Sequence, residues 1–167
     1  MSFKEINVDD LKINPFTKIG KEWMLITSGD NKDYNTMTAS WGSMGVLWNK
    51  NVVFAFVRPQ RHTFGYMENN DYFSLSFYPE SMKDALKFCG THSGRDVDKA
   101  KETGLTPEFN QNAPYFKQAK LVFICKKIHS QYLDPTCFLD ENINNNYASN
   151  DYHKVYIGEI EKVLINE

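Results

Sequence analysis

Residues 58–63 form the stretch whose side chains best suit phosphate binding. The stretch reads RPQRHT and lies between a strongly apolar run and the start of a predicted helix. Arg58 and Arg61 could each bind two phosphate oxygens through a planar guanidinium, and the N–H groups of a helix start favour anions. Thr63 adds a hydroxyl and is expected to cap the helix. A solvated turn with two surface arginines explains the same residues, so both interpretations stay open.

Residues 35–42 offer a second chemistry, which is hydrogen bonding to the polar edge of a flat ring. They read NTMTASWG, and their small side chains leave the backbone of an extended segment open to a ligand. Backbone N–H groups and the hydroxyls of Thr38 and Ser40 could then reach the ring. An ordinary edge strand with its hydroxyls turned outward fits these residues equally well.

Residues 91–96, which read THSGRD, make a third polar segment directly after a predicted helix. Gly94 would let the backbone approach a ligand closely, and Ser93 and Arg95 offer hydrogen-bond donors. A polar connector between two helices has the same composition, and the segment alone does not separate the two interpretations.

Other kinds of site lack their sequence patterns. His62, His92, His129 and His153 do not have the spacing of zinc ligands, so no metal site is predicted. The glycine patterns of dinucleotide-binding and P-loop proteins are missing, as is the nucleophile elbow of hydrolases. The three cysteines form no Cys-x-x-Cys pair, which predicts free thiols in a reducing cytoplasm.

Length and composition predict one domain spanning residues 1–167. The sequence is 41% hydrophobic and 14% aromatic, which is enough for a core. Its net charge of −2 offers no basic surface for nucleic acid or an anionic membrane. Its apolar runs are too short to cross a bilayer, and its first residues lack the apolar part of a signal peptide. We therefore expect a cytoplasmic protein that binds neither nucleic acid nor membrane.

The elements that hold the three polar segments are predicted to be mainly strands. Strands are expected at residues 22–28, 35–42, 51–57, 72–78, 120–131 and 153–164. Between the last two lies a polar, Asn-rich stretch at 140–151, which is expected to be a mobile loop. Short helices are predicted at residues 64–68, 82–89 and 97–102.

Helix ends and architecture follow from smaller signals. Ser81 is expected to cap the second helix, Gly90 to end it, and Gly104 to end the third. Strands without β-α-β alternation predict a mainly β barrel with helical connections. Because side chains fill so small a barrel, a cofactor is expected outside it or at a subunit interface.

Taken in order, these segments resemble the flavin reductase-like family, which has the FMN-binding split-barrel fold, and in particular its flavoredoxin-like branch. The resemblance runs from about residue 22 to residue 164. It rests on NTMTASWG at 35–42, RPQRHT at 58–63, FSLSF at 73–77, SGRDVDK at 93–99 and HKVYIGEI at 153–160. The family often has aspartate directly before the histidine that corresponds to His153. This chain has Tyr152 there, with Asp151 one residue earlier.

The resemblance implies a split β-barrel of about six antiparallel strands with Greek-key-like connections, working as a homodimer with FMN near the subunit interface. It assigns to the isoalloxazine ring Thr38, Ala39, Ser40 and Trp41. It assigns to the phosphate Arg58, Arg61 and Thr63, and counts His62 among the cofactor-binding residues. It assigns to the segment that closes over the ring or the ribityl chain Ser93, Gly94, Arg95 and Lys99.

The implied activity is hydride transfer from NADH or NADPH to flavin N5, with His153 as a catalytic aid and the cofactor performing the chemistry. One alternative is an FMN-carrying electron-transfer protein with a redox protein partner and no nicotinamide site, which Tyr152 in place of aspartate favours. A less favoured alternative is a non-redox barrel module that binds peptide or nucleic acid through exposed aromatic side chains.

Overall fold

The computed structural model describes residues 2–166. The strands formed within that range are β1 (Phe3–Ile6), β2 (Met24–Gly29), β3 (Tyr34–Ala39), β4 (Gly42–Leu47), β5 (Lys50–Val57), β6 (Tyr72–Phe77), β7 (Pro107–Glu108), β8 (Tyr115–Phe116), β9 (Leu121–Tyr132) and β10 (Lys154–Asn166). The α-helices are α1 (Pro15–Thr17), α2 (His62–Asn69), α3 (Lys83–Thr91) and α4 (Lys99–Thr103). Helical turns of other types lie at Val8–Asp10, Lys18–Glu22, Glu80–Met82, Pro135–Cys137 and Glu141–Asn146. No helix in the described range is long and apolar enough to span a membrane.

One antiparallel sheet dominates the molecule and confirms the mainly β fold with helical connections. Over residues 2–166 it contains eight strands, in the order β3-β2-β6-β9-β10-β5-β4, with β1 paired to the end of β10. About six were expected. The pattern of apolar residues missed β1 and β4, because β1 has only four residues and β4 carries two glycines.

Strand β6 shows that this sheet is covered on both faces. Phe73 and Leu75 belong to a core that lies on one face. On the other face Ser74 and Ser76 are fully buried, next to a second core to which Tyr78 belongs. Their hydroxyls are satisfied, since Ser74 donates to a backbone carbonyl at 2.6 Å and Ser76 shares a 2.8 Å hydrogen bond with Tyr78. The predicted alternation is therefore correct, and the face of β6 that carries the serines is buried.

The first of the two cores is filled by side chains from the middle strands. Met24, Ile26, Val53, Phe123 and Tyr156 are each 0% exposed and pack in the same cluster. Interiors packed to this degree hold no ligand-sized space. The cavities large enough for a ligand are accordingly found at the margins of the sheet.

Helix α2 begins earlier than the sequence predicted. It starts at His62, with Arg61 as its N-cap residue, so the prediction of Thr63 as the cap is wrong. Thr63 lies in the first turn and is 1% exposed. Its hydroxyl accepts a 2.8 Å hydrogen bond from the amide of Asn35 instead. A tertiary partner has replaced the local one.

Helix α3 also has different ends. The chain first makes a helical turn at Glu80–Met82, so Ser81 does not cap α3, and the helix runs through Gly90 to Thr91. Gly90 has helical geometry because α3 packs on β3, where a Cβ at this glycine would meet Thr38 at 3.2 Å. Gly104, with φ of 72°, does end α4 as predicted.

The Asn-rich stretch at 140–151, which was predicted to be a mobile loop, contains local structure that its composition did not indicate. It contains the helical turn Glu141–Asn146, which Asp140 caps by accepting from the N–H of Asn142. Tyr147 follows and is only 6% exposed. Asp151 closes the stretch with an ion pair to Arg58. Long-range contacts therefore hold a segment whose composition alone predicts no order.

Candidate functional site

A polar cavity of about 390 Å³ lies where the turn after β5 meets the segment after α3. We call it the basic cavity. Its lining consists of Met37, Arg58, Gln60, Arg61, His62, Thr63, Thr91, His92, Ser93, Arg95 and Lys99. Every residue that was predicted to bind a cofactor in the segments 58–63 and 93–99, except Gly94, lines this cavity. Two segments that each had an ordinary explanation in isolation therefore share one cavity.

Arg61 is the best-placed cation of the basic cavity. It is partly buried and is the N-cap residue of α2, where its carbonyl accepts from the N–H of Phe64 at 3.0 Å. One guanidinium nitrogen donates to the carbonyl of Gly90 at 3.0 Å, which orients the side chain. Burial and the nearby charge of Arg58 lower the pKa of Arg61, but an arginine stays charged at neutral pH. Its charge and the helix start both favour an anion here.

Arg58 borders the same cavity, but its terminal nitrogens already have partners. One lies 2.7 Å from a carboxylate oxygen of Asp151, and the other donates to the carbonyl of Asn146 at 2.9 Å. Gln60 donates to the same carboxylate at 2.5 Å. Hydrogen bonds from Arg58 and Gln60 lower the pKa of Asp151, so the pair is ionised at neutral pH. Arg58 therefore anchors the Asn-rich stretch to the end of β5.

Lys99 brings a buried ammonium group to the basic cavity. It is 5% exposed, and its Nζ donates to the carbonyls of Thr36 and Cys89, both at 2.8 Å. Burial lowers the pKa of Lys99 to about 8, and the charge of Arg61 acts in the same direction. An ammonium group has three N–H bonds, so one is left without a partner among residues 2–166. That N–H can serve a ligand in the cavity.

Gly94 lies beside the basic cavity and has a packing role. A Cβ at this position would come within 2.2 Å of the side-chain oxygen of Asn35. The neighbouring residues form a turn in which the hydroxyl of Ser93 accepts from the N–H of Arg95 at 3.2 Å. Arg95 in turn donates to the carbonyl of Gln60 at 3.1 Å, which joins the two polar segments.

A second cavity, of about 520 Å³, lies beside the residues that follow β3. We call it the aromatic cavity. Its lining consists of Pro15, Phe16, Ile19, Gly20, Ser40, Trp41, Gly42, Ser43, Met44, Phe56, Leu133, Tyr147 and His153. The guanidinium carbon of Arg58, which lines the basic cavity, lies 5.0 Å from the ring centre of Tyr147, which lines the aromatic cavity. The two cavities are therefore neighbours.

Thr38 and Ala39 line neither cavity with their side chains. The hydroxyl of Thr38 donates to the carbonyl of Leu86 in α3 at 2.5 Å. Ala39 packs against the first core. Of the segment predicted to hold a ring, the structure thus brings Ser40 and Trp41 to the aromatic cavity, together with His153.

His153 lies at the start of β10 and faces the aromatic cavity. Its ring centroid is 5.3 Å from that of Trp41, and its Nδ1 is 2.7 Å from the hydroxyl of Tyr147. Burial lowers the pKa of His153 to about 4, and the charge of Arg58 adds to this effect. The imidazole is therefore neutral at pH 7 and can donate one hydrogen bond and accept another.

Sequence reasoning missed three residues of this arrangement, namely Asn35, Tyr147 and Asp151. Each acts through a partner that is not its neighbour in the sequence, and none was assigned a role in the site, although Asn35 begins the segment 35–42 and Asp151 lies two residues before His153. Over the described part of the chain, no group of three or more His, Cys, Asp or Glu side chains could hold a metal ion.

Comparisons with known proteins identify the family and the fold of the chain. A family model described as a flavin reductase like domain matches residues 16–167. A search of curated proteins found no match. Among solved structures, flavoredoxin from Methanosarcina acetivorans is 20% identical with a TM-score of 0.70, and the match covers 95% of this chain and 76% of that one.

Two further structures give the same picture. Flavoredoxin of Desulfovibrio vulgaris (Miyazaki F) is 22% identical with a TM-score of 0.67, and the match covers 87% of this chain and 69% of that one. A flavin reductase-type protein with a split-barrel domain from Shewanella frigidimarina NCIMB 400 is 20% identical with a TM-score of 0.68, over 95% and 77% of the two chains. Identities this low show a shared fold, and the predicted split barrel is confirmed.

Proposed function

Because the chain belongs to the flavin reductase-like domain family, we propose that it binds FMN and uses NADH or NADPH to reduce it. A flavin-related redox role follows from the family. The finer assignment is carried by one observation, which is that a basic cavity and an aromatic cavity adjoin, with Arg58 of the first in contact with Tyr147 of the second. FMN has the matching shape, with a phosphate at one end and a flat ring at the other.

The basic cavity fits the phosphate. A phosphate monoester carries nearly two negative charges at pH 7 and offers several strong acceptor oxygens. Arg61, the free N–H of Lys99 and the start of α2 supply charge and donors for it. His62, Thr63, Ser93 and Arg95 complete the proposed phosphate and ribityl site, with Gly94 shaping it. Arg58 stays at its margin, because Asp151 already occupies its guanidinium.

The aromatic cavity suits the ring. We assign Ser40 and Trp41 to it, with Thr38 and Ala39 contributing through their backbone because their side chains point to α3 and the core. Bound FMN would supply the hydride acceptor at its N5. The protein's own part is to hold the ring beside Trp41, keep water out with apolar walls, and present His153 to whatever approaches the ring.

We further propose that residues 1–167 fold as one domain and that two copies form a homodimer. Phe16, which lines the aromatic cavity, is 86% exposed, and Val46 and Trp48 on and after β4 are 73% and 57% exposed. We assign these exposed side chains to the subunit interface, because homodimer interfaces are more apolar than the rest of a protein surface. Analytical ultracentrifugation of the full chain tests this, with a monomer at micromolar concentration as the contradicting result. A cytoplasmic location stays a prediction.

The function is tested by purifying the full chain and measuring bound flavin. We expect FMN close to equimolar with protein, and loss of the oxidised flavin absorbance when NADH or NADPH is added without oxygen. A colourless protein that does not bind added FMN would contradict the proposal. If FMN binds but neither nucleotide reduces it, the protein is an electron carrier with a redox partner, which Tyr152 in place of the family's aspartate favours.

A further inference from the structure

We propose that Tyr147 positions His153 so that the imidazole presents an N–H group to the aromatic cavity. Tyr147 belongs to the Asn-rich stretch, outside the three polar segments, and contacts one of them through Arg58. The inference rests on the proposed function only for the identity of the ligand that meets His153. The orientation of the ring depends on the protein's own groups.

The geometry of the pair is specific. The Tyr147 hydroxyl is 2.7 Å from Nδ1 of His153, and the two residues are 6% and 8% exposed. Because Nδ1 faces Tyr147, Nε2 lies on the opposite side of the ring. Within residues 2–166, Nε2 makes no hydrogen bond. It is nevertheless accessible to solvent, because the one buried side-chain polar atom without a partner in that range is Oδ1 of Asn166. Both side chains line the aromatic cavity, and this cavity is the space that we assign to the free nitrogen.

The direction of the hydrogen bond follows from the state of both groups. Burial raises the pKa of Tyr147 and lowers that of His153 to about 4, so both are neutral at pH 7. The charges near His153 are Arg58 and Arg61, which disfavour its protonation, and Asp151, which favours it. The phenol finds no other acceptor in the described structure. It therefore donates to Nδ1, and the single imidazole proton resides on Nε2.

Tyr147 is itself held in place by several contacts. The guanidinium carbon of Arg58 lies 5.0 Å from the centre of its ring. Arg58 also binds Asn146 directly before Tyr147 and Asp151 shortly after it. The ring of Tyr152 lies 5.0 Å away. A pair supported on several sides keeps one geometry, as a positioning residue requires.

The consequence is chemical. A neutral imidazole with its proton on Nε2 is a hydrogen-bond donor to a ligand atom such as a carbonyl oxygen. It is a poor acid near pH 7, since it has no second proton to give. In this chain the partner of Nδ1 is a neutral phenol, so the hydrogen bond to Nδ1 brings no negative charge that would favour imidazolium.

Nitrogen NMR of the full chain labelled with ¹⁵N-histidine tests the tautomer directly, because protonated and unprotonated ring nitrogens have different shifts. His153→Gln identifies the signals among the four histidines. We expect the Nε2–H form of His153, without titration between pH 5 and 8. A protonated Nδ1, or a midpoint within that range, would overturn the inference, and the tautomer and titration are read on the unsubstituted chain.

Tyr147→Phe then tests the cause. It is expected to shift His153 towards a mixture of tautomers, whereas Tyr152→Phe, which removes a hydroxyl from the same cluster, is expected to change nothing. Unaltered His153 signals in Tyr147→Phe would overturn the role of Tyr147. The readout is made without FMN, so it stands apart from the proposed function.

Kinetics add a second readout if the protein proves to be a reductase. Tyr147→Phe is expected to reduce FMN about three- to tenfold more slowly, the rate equivalent of one hydrogen bond, with unchanged FMN affinity. An unchanged rate would contradict the inference while leaving the proposed function intact.

Discussion

Arg58 and Asp151 are 93 positions apart in the chain, yet their side chains are joined by a hydrogen bond of 2.7 Å. Both are partly buried, with side-chain exposures of 25% and 18%. The pair connects the end of β5 to the segment directly before β10. It thereby places the Asn-rich stretch, including Tyr147, against the aromatic cavity.

Asp151→Asn is expected to loosen that stretch. Removal of the charge weakens the ion pair with Arg58 and the hydrogen bond from Gln60, so backbone amides of residues 141–147 should exchange severalfold faster. Hydrogen–deuterium exchange measures this. Asp84→Asn is the matched control, because Asp84 is 98% exposed and lies 3.7 Å from its partner Lys87. Equal protection in both variants would mean that other contacts hold the stretch.

Arg61→Ala is expected to weaken binding of FMN but not of riboflavin, which lacks the phosphate. A charge-assisted hydrogen bond contributes about 1.5–3 kcal/mol, so the dissociation constant for FMN should rise roughly 10- to 150-fold. Titration of flavin fluorescence measures both ligands. Lys87→Ala, which removes an exposed cation from α3, is the control. Similar losses for FMN and riboflavin would assign Arg61 a structural role through its bond to Gly90.

FMN affinity is expected to fall as the pH rises through about 8. In the free protein the pKa of Lys99 is lowered to about 8, mainly by burial, so the amine loses its charge above that pH. A bound phosphate favours the ammonium form and raises its pKa, so binding takes up a proton in this range. The contribution of Lys99 is complete below pH 8 and is lost as the pH rises.

Two comparisons isolate this effect. Riboflavin, titrated over the same pH range, is expected to bind without that dependence, and Lys99→Arg, which keeps its charge, should flatten the FMN curve. Calorimetric titration in buffers of different ionisation enthalpy counts the proton taken up. A riboflavin curve that falls as steeply as the FMN curve would disprove the linkage to the phosphate.

Gly158→Ala is expected to destabilise the fold. A Cβ at this position would lie 2.6 Å from the ring of Phe73 and 2.9 Å from the Cβ of Cys125, both of which are 0% exposed. Overpacking of this kind costs about 1–3 kcal/mol, which urea denaturation measures. Gly45→Ala in β4, where a Cβ meets nothing within 4 Å, should change stability by less than about 0.5 kcal/mol. Equal midpoints would show that the core around Phe73 can yield.

The predictions that held concern properties expressed within a few residues. The alternation of β6, the two long strands and the end of α4 at Gly104 all follow from side-chain period or backbone preference. The two polar segments around Arg61 and Arg95 were recognised by residue type, but each had an ordinary alternative. Their meeting at one cavity was visible only in the folded chain.

The predictions that failed concern residues whose partners lie elsewhere. Thr63 was expected to cap its own helix, but it bonds Asn35, which is 28 positions earlier. Gly90 was expected to end α3, but it packs on Thr38. Capping and helix-stop preferences consider only residues that are close in the sequence. A residue that packs against a distant segment can find its contacts there and depart from those preferences.

Residue type and short-range order predicted a mainly β domain, because strand period and side-chain chemistry are properties of the chain itself, and the resemblance to a family assigned the arginines and glycines of the polar segments to a proposed cofactor site. The sequence could not reveal that Asp151 forms an ion pair with Arg58, or that Lys99 is buried with two of its three N–H groups bonded to carbonyls. Nor could it reveal the hydrogen bond between Tyr147 and His153. Those relationships arise when sheet register brings distant segments together, and burial then sets the charge and direction of each group.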